Sequence, residues 1–515
     1  MSNPKGRLLD ACTTNPSVMA SFADGPKDKS LQWSDLREGG HEGYARMARP
    51  RGETSRGGAS ARPPIDTTAM LPHSATTTPV AGLPMRLLAA ALALLSTPAF
   101  ADAVTYSGTL GGREIVVELT EPADGVVTGR YAILADGYDI PLQPRTAENG
   151  AWVLAEEAPC GDDDCPADDD GLVADPPIAA IWTLTLSDDG TSLIGTRRSE
   201  GAKAKSQPVA LEAVARRALE EEPTPYFMHD RAMLLGFEAD RPLNAQTAPY
   251  DMLRLSGGPL ETGPIEPGEA GAFYGYTADP RTGFFFPSVL ALPGNTTTAI
   301  NEALHNHRNR MAIDALSCKS LVYAGFGRTN NNGFGGGTLG GYEDETVTVT
   351  YLSPTVMSWT ETGSLYCTGA HPYNHANNYN YDVKSGQPLD LSRIFSGWVA
   401  RPFVAEPGET ADLETARAHP DDYVWGPDDA LIAWVRAHRQ PPTDAQWERE
   451  CGIDDLIAEY LDMRFERGDR VTFALSGLPH VMSACAGDLV TVPLSDMVEL
   501  LTPEAGRFFP GLAAN

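Results

Sequence analysis

Short segments of alternating apolar and polar residues run from residue 104 to about residue 214, separated by Gly, Asp and Pro. A period of two residues is typical of strands with one buried face, and several such strands at this spacing favour an antiparallel barrel or sandwich. We therefore predict a small β-rich module over residues 102–217.

The rest of the chain mixes helical and strand patterns. A helical period over residues 298–316 places Ile300, Leu304, Met311 and Ala315 on one face. Further patterns predict strands at 346–352, 355–367, 377–383, 471–475 and 489–492, and helices at 213–222, 428–438, 443–465 and 495–501. Helices and strands in separate blocks favour the α+β class, here a domain over residues 218–515.

Residues 85–101 have the pattern of a secretory signal peptide. Arg86 precedes a short apolar run, and a small-x-small cleavage pattern ends at Ala101. The run is too short to span a bilayer, and a buried helix, the alternative, has no preceding domain to pack against. We expect cleavage before Asp102 and a soluble protein in the periplasm, with no membrane span after cleavage.

Residues 1–84 then require an explanation, because an export signal does not normally lie this far along a chain. They are rich in Gly, Pro, Ser, Thr and Arg and have no sustained apolar period. Such a segment cannot bury enough surface to offset its ordering entropy. We predict a disordered extension that reflects a misassigned start codon; a cytosolic regulatory tail is the alternative.

Six cysteines follow the predicted signal peptide, and an even number in an exported chain predicts disulfides. Many pairings are open in principle, but order along the chain favours local partners. The predicted bonds are Cys160–Cys165, Cys318–Cys367 and Cys451–Cys485. Zinc is disfavoured because no Cys-x-x-Cys motif occurs and no histidine has ligand spacing from these pairs.

The formal net charge is −30 at pH 7 and becomes more negative when the predicted leader is removed. A nucleic-acid partner is disfavoured because a polyanion would be repelled and no basic face is visible. The charge is compatible with a cationic partner, although strong negative charge also serves solubility alone.

A recognisable pattern lies between residues 366 and 395. A Thr-Gly-Ala-His-Pro turn at 368–372 precedes a strand ending in Asp-Val-Lys-Ser-Gly at 382–386 and an apolar segment at 389–395. This pattern resembles the exported domain of unknown function shared by the lysozyme-sensing anti-sigma factor of Gram-positive bacteria and the N-terminal part of peptidoglycan deacetylase C. The resemblance covers roughly 270–505, with departures at Thr368, Ser385, Ser392 and residues 479–485.

The resemblance implies an α+β envelope domain that binds rather than catalyses and needs no cofactor, because chemistry or signalling in both relatives lies elsewhere in the chain. The candidate binding residues are Gly369, Ala370, His371, Pro372, His375 and Asp382. The implied partner is a peptidoglycan fragment or a lysozyme-like protein. The alternative is a glycan-modifying enzyme that uses His371 and Asp382.

Histidine spacing bears on metal binding. His371 and His375 lie four residues apart in an extended segment, too far to share a metal unless the intervening turn folds back, so we expect His371 to stabilise a turn. His305 and His307 flank one residue of the predicted helix and point to different faces. We expect both at the surface, and we predict no metal site.

Overall fold

The structure is a computed structural model that describes residues 102–122, 126–146, 150–160, 165, 175–201, 203–218, 243–258, 260–324, 341–366, 373–403, 408–440 and 445–514. The predictions for residues 1–84, for the signal peptide at 85–101, and for Cys367, Gly369, Ala370, His371 and Pro372 lie outside these ranges. The described residues belong to a single unit by their contacts.

Eight antiparallel strands form a closed barrel in chain order. They are β1 (Asp102–Leu110), β2 (Arg113–Thr120), β3 (Gly129–Ile133), β4 (Asp139–Pro144), β5 (Trp152–Glu157), β6 (Ile178–Leu186), β7 (Ser192–Ser199) and β8 (Ser206–Ala218). The first strand pairs with the last, and Asp102 lies opposite Ala218 at the end of this seam. The interior is filled by apolar side chains, including Tyr106, Tyr131 and Trp182. The prediction of a barrel or sandwich is confirmed as a barrel.

The remaining strands form four smaller antiparallel sheets. The first has the order β11 (Phe285–Ala291), β10 (Phe273–Ala278), β9 (Glu261–Pro267), and the second runs from β12 (Gly341–Leu352) through β13 (Val356–Tyr366) and β14 (Tyr373–Asp382) to β15 (Gln387–Pro388). The third pairs β16 (Trp398–Pro402) with β17 (Tyr423–Pro427), and the fourth contains β18 (Leu461–Glu466), β19 (Arg470–Leu475) and β20 (Gly487–Pro493).

Seven α-helices lie within the described ranges. They are α1 (Pro249–Ser256), α2 (Thr298–Tyr323), α3 (Leu413–Ala418), α4 (Asp429–His438), α5 (Ala445–Cys451), α6 (Ile453–Tyr460) and α7 (Ala505–Phe508). None of these helices is long and apolar enough to cross a membrane. The combination of antiparallel sheets and helices confirms the α+β class, whereas the division at residue 217 stays a prediction.

The predicted helix at 443–465 is interrupted at Gly452 and is wrong over residues 461–465. Gly452 takes a left-handed conformation, with φ of 63°, and separates α5 from α6. After α6, Leu461, Met463 and Phe465 are buried at alternate positions and form β18 instead of a further helical turn. Leu461 and Phe465 fit both the apolar face of the predicted helix and the buried face of a strand. Periodicity alone therefore could not distinguish the two structures.

Two shorter helix predictions are also wrong. The segment before Ala218 belongs to β8, because its pairing with β1 closes the barrel. Residues Leu494–Leu500 form short 3-10 turns rather than the α-helix predicted at 495–501. The predicted helix at 428–438 is confirmed by α4, and the helix predicted from 298 continues seven residues further, to Tyr323.

Two predicted disulfides are present. Cys160 is bonded to Cys165, and Cys451 is bonded to Cys485. Cys318 is also disulfide-bonded. Its predicted partner lies outside the described residues.

Buried charged side chains join α1 to the outside of the barrel. Arg130 on β3 lies 3.1 Å from Glu118, 2.9 Å from Asp139 and 3.3 Å from Asp251 of α1, and all four side chains are at most 1% exposed. Arg254 of α1 adds a second cation, 2.8 Å from Asp139. Buried charges are tolerated when they are paired in this way.

The ion pairs of this network lower the pKa of Glu118. Burial acts to raise the pKa of Glu118, but Arg217 and Arg130 outweigh it and hold that pKa at about 2. Arg217 donates to the other carboxylate oxygen of Glu118 over 2.6 Å. Glu118 therefore stays ionised at neutral pH.

Candidate functional site

The strand β14, which contains His375 and Asp382, has an outer edge that β15 covers only in part. It pairs with β13 along its whole length, but β15 covers it only at Tyr381 and Asp382. An edge strand presents unpaired backbone donors and acceptors to whatever lies beside it. Further along this edge, the backbone of Asn380 accepts from Leu389, that of Asn378 bonds Asp462, and that of Ala376 accepts from Ser476. The free edge is therefore confined to the start of the described strand, around Asn374.

A groove of about 360 Å³ runs beside this free edge. Its floor is formed by Asn374, His375, Ala376 and Asn377 of β14, and its opposite wall by Gly477, Leu478, Ser483, Ala484 and Ala486. Most wall residues are small, which keeps the groove open. Amide, imidazole and hydroxyl groups supply its polar contacts.

The two walls of the groove are fixed by specific contacts. The hydroxyl of Ser476 donates to the backbone oxygen of Ala376 over 2.6 Å, which ties the wall to the strand. The disulfide between Cys451 and Cys485 anchors the same wall to α5. The groove is therefore held by covalent and hydrogen-bonded supports at both sides.

His375 is held by a buried carboxylate. Its Nε2 lies 2.9 Å from Oε2 of Glu345 on β12. Gly363 of β13 lies opposite His375 and has no side chain, which leaves room for the imidazole and the carboxylate to meet. Burial raises the pKa of Glu345, His375 lowers it, and the negative charge of Glu361 adds to the rise.

A second histidine-carboxylate pair lies on the same face of this sheet. Nε2 of His307 on α2 lies 2.7 Å from Oε1 of Glu361, and the indole nitrogen of Trp359 donates to the same oxygen over 2.9 Å. The ring of Tyr379 packs edge-on against His307, with centroids 4.7 Å apart. Burial, and then Glu361, raise the pKa of the Tyr379 hydroxyl above its usual value.

The arrangement is chemically simple. Each glutamate contacts Nε2 of one imidazole and so orients that ring. The side chain of His307 is 19% exposed and that of His375 only 4%. His307 is therefore the more accessible imidazole, while His375 contributes to the groove floor.

The structure separates two of the predicted site residues. His375 and Asp382 lie seven residues apart on one strand, on opposite faces and about 23 Å from each other. Oδ1 of Asp382 accepts hydrogen bonds from the backbone nitrogens of Lys384 and Ser385, over 2.8 and 3.3 Å. Asp382 therefore stabilises the turn that leads to β15.

Three site residues were missed by sequence reasoning. His307 was expected at the surface with His305, which is exposed; His307 instead packs inside. It lies three residues after Leu304 and four before Met311, both on the buried face, and this spacing was the available signal. Glu345 and Glu361 carried no signal, because a carboxylate on an alternating strand is usually solvated.

Within the described ranges, no group of three or more histidine, cysteine, aspartate or glutamate side chains is arranged to hold a metal ion. The sequence matches no protein-family model, and it has no significant similarity to curated proteins.

Proposed function

We propose that this chain is an exported, non-catalytic recognition protein of the cell envelope, and that the groove beside β14 binds a glycan fragment of the envelope. The groove carries the proposal. A sugar presents hydroxyl and amide groups that both donate and accept hydrogen bonds, and Asn374, Asn377 and Ser483 offer matching partners along the groove.

Three further elements of the proposal rest on sequence. They are the signal peptide at 85–101 with a soluble periplasmic product, the order of a barrel module followed by a separate α+β domain, and the resemblance to the lysozyme-sensing family over roughly 270–505. The disulfides support export, since such bonds persist in oxidising compartments.

The test of the binding function is calorimetric titration of the protein with muramidase-released peptidoglycan fragments and with N-acetylglucosamine oligosaccharides. We expect binding, and we expect Ala484→Trp, which fills the groove, to weaken it at least tenfold. Ala204→Trp, in the exposed turn before β8, is the matched control and should bind as the wild type does. Equal affinity of the two variants would refute the groove as the site.

A second candidate partner is a basic protein such as a lysozyme, and the net charge of −30 favours it. Electrostatic steering would accelerate such an association at low salt. Titration with lysozyme distinguishes the two: a complex that forms at low salt, survives Ala484→Trp and weakens with added salt supports the protein partner instead of the glycan.

The alternative of a glycan-modifying enzyme used His371 and Asp382. The role of Asp382 in a turn argues against it, because one of its oxygens is already committed to two backbone donors. Incubation with peptidoglycan and mass spectrometry of the products tests it. Turnover that His371→Ala abolishes, with the fold intact, would replace the recognition proposal.

A further inference from the structure

A second cavity lies far along the chain from the groove residues, between α1, the sheet of β9 to β11, and α2. Its volume is about 140 Å³. One side is apolar and includes Met252, Leu255, Phe284, Phe286 and Ala312. At this size it suits a ligand smaller than the drug-sized molecules that fill pockets of about 300 to 1,000 Å³.

The opposite side carries a cation without a paired anion. Arg308 lines the cavity, and within the described ranges it makes no salt bridge. One of its Nη2 contacts is to Nδ1 of His305 over 3.1 Å, and the other is to Oδ1 of Asn309 over 3.4 Å. Burial lowers the pKa of Arg308, and Asp279 only partly offsets it.

On this wall of the cavity, the donors of Arg308 and Asn309 outnumber the acceptors of the His305 ring. Nδ2 of Asn309 lies 3.0 Å from Nε2 of His305, while Arg308 approaches Nδ1 of the same ring. A neutral imidazole accepts at one nitrogen only, so both contacts cannot be satisfied at once. Burial, and then Arg308, lower the pKa of His305 and keep the ring neutral.

The charged side chains around Asp279 include more cations than anions. Asp279 is the carboxylate that lines it, and Arg281 already holds both of its oxygens, over 2.5 to 3.0 Å. The negative charge of Asp279 also acts to raise the pKa values of Arg308 and Lys319. Arg281, Arg308 and Lys319 therefore share the charge of this one carboxylate, in a chain whose net charge is −30.

We propose that this cavity binds a short-chain carboxylate, with its carboxylate group on Arg308 and Asn309 and its alkyl chain against Phe284, Phe286 and Ala312. The planar guanidinium of arginine matches the two oxygens of a carboxylate. The apolar wall rewards a hydrocarbon tail, and the small volume limits that tail to a few carbon atoms.

The test uses ligand-observed NMR and calorimetry at pH 7 and low salt, with the full chain and hexanoate as the probe. Hexanoate should bind, whereas acetate, which lacks the tail, and hexan-1-ol, which lacks the charge, should each bind at least tenfold more weakly. Hexyltrimethylammonium should not bind, because its charge has the wrong sign.

Two variants locate the site. Arg308→Gln removes the cation, and Leu260→Glu adds a negative charge beside the cavity at a side chain that is 57% exposed, so the fold is retained. Each should weaken hexanoate binding at least tenfold. Leu290→Glu, at an equally exposed position on β11, is the matched control and should leave binding unchanged.

Three results would overturn the proposal: no binding of hexanoate at millimolar concentration, equal binding of hexan-1-ol, or unchanged affinity in both Arg308→Gln and Leu260→Glu. Glycan binding in the groove is measured separately, so either proposal can fail without the other.

Discussion

Nε2 of His375 lies 2.9 Å from Oε2 of Glu345, and the two side chains are 4% and 1% exposed. Two groups of a candidate binding site are thus also part of the buried interior. A buried carboxylate that loses its partner is strongly destabilising, so function and stability are coupled at this position.

We therefore expect His375→Ala to lower the free energy of unfolding by about 3 to 5 kcal/mol at neutral pH. Without His375 the pKa of Glu345 rises further, because the imidazole lowers it in the wild type. Urea unfolding at pH 7 measures the loss. His419→Ala, at an exposed histidine, should cost less than about 0.5 kcal/mol. A loss below about 1 kcal/mol, as for an exposed pair, would contradict the assignment.

The network around Arg130 supports a second prediction. Arg130→Met should destabilise the protein by about 3 to 5 kcal/mol, because Glu118, Asp139 and Asp251 remain buried with fewer partners. The exposed pair Arg113–Asp136, at 2.7 Å, provides the control. Arg113→Met should change stability by less than about 1 kcal/mol.

Acid should affect the wild type through the same network. The pKa of Glu118 is about 2 in the folded state, below its usual value of 4.5, so its stabilisation is present above pH 4.5 and lost as the pH falls towards 2. Arg130→Met should show a shallower loss between pH 5 and 2.5 in urea unfolding. An equal loss of unfolding free energy per pH unit in both proteins would contradict this interpretation.

We predict the opposite pH dependence for the contribution of Asp314 on α2 to the stability of the fold. Burial raises its pKa from 3.8 to about 7, and Arg310 only partly lowers it. A raised carboxyl pKa stabilises the fold below pH 3.8 and loses that contribution as the pH rises through about 7. Asp314→Asn should therefore be more stable than the wild type at pH 8, by at most about 4 kcal/mol, and the two should converge near pH 4.

Thermal unfolding across that range measures the effect. The exposed Asp188→Asn is the control and should follow the wild type at every pH. Glu157 also has a pKa raised to about 7 by burial, so the wild type and both variants should retain some loss of stability on the alkaline side. An Asp314→Asn variant that is less stable than the wild type at pH 8 would contradict the prediction.

The two described disulfides should differ in their contributions. The bond Cys451–Cys485 closes 34 residues and the bond Cys160–Cys165 only 5. Replacing the first pair by serine should cost about 4 kcal/mol and the second about 2, because a longer loop has more entropy to lose. Removing the first should also weaken glycan binding, since it frees a wall of the groove. Equal costs in thermal unfolding would contradict the loop argument.

Local patterns predicted much of the fold. Alternation predicted the barrel, since its interior is apolar and the outer face of β6 to β8 is largely exposed, and order along the chain predicted two disulfides correctly. The helix at 443–465 failed because the left-handed Gly452 and the alternation of Leu461, Met463 and Phe465 end the helical run.

The candidate site was much less predictable. His375 was named from a resemblance, but Glu345 and Glu361 become its neighbours only when β12, β13 and β14 pair. Asp382 was named with His375, yet the strand places them far apart. Contacts between residues distant in sequence carry no periodic signal, so neither histidine-carboxylate pair could be found before the sheet was known.

The seam between β1 and β8 has a consequence for maturation. Asp102, the first residue after the proposed cleavage point, already pairs with Ala218. On the proposed cleavage, no spacer would separate the scissile bond from the first residue pair of the barrel seam. The proposal therefore implies that cleavage precedes the closure of β1 on β8.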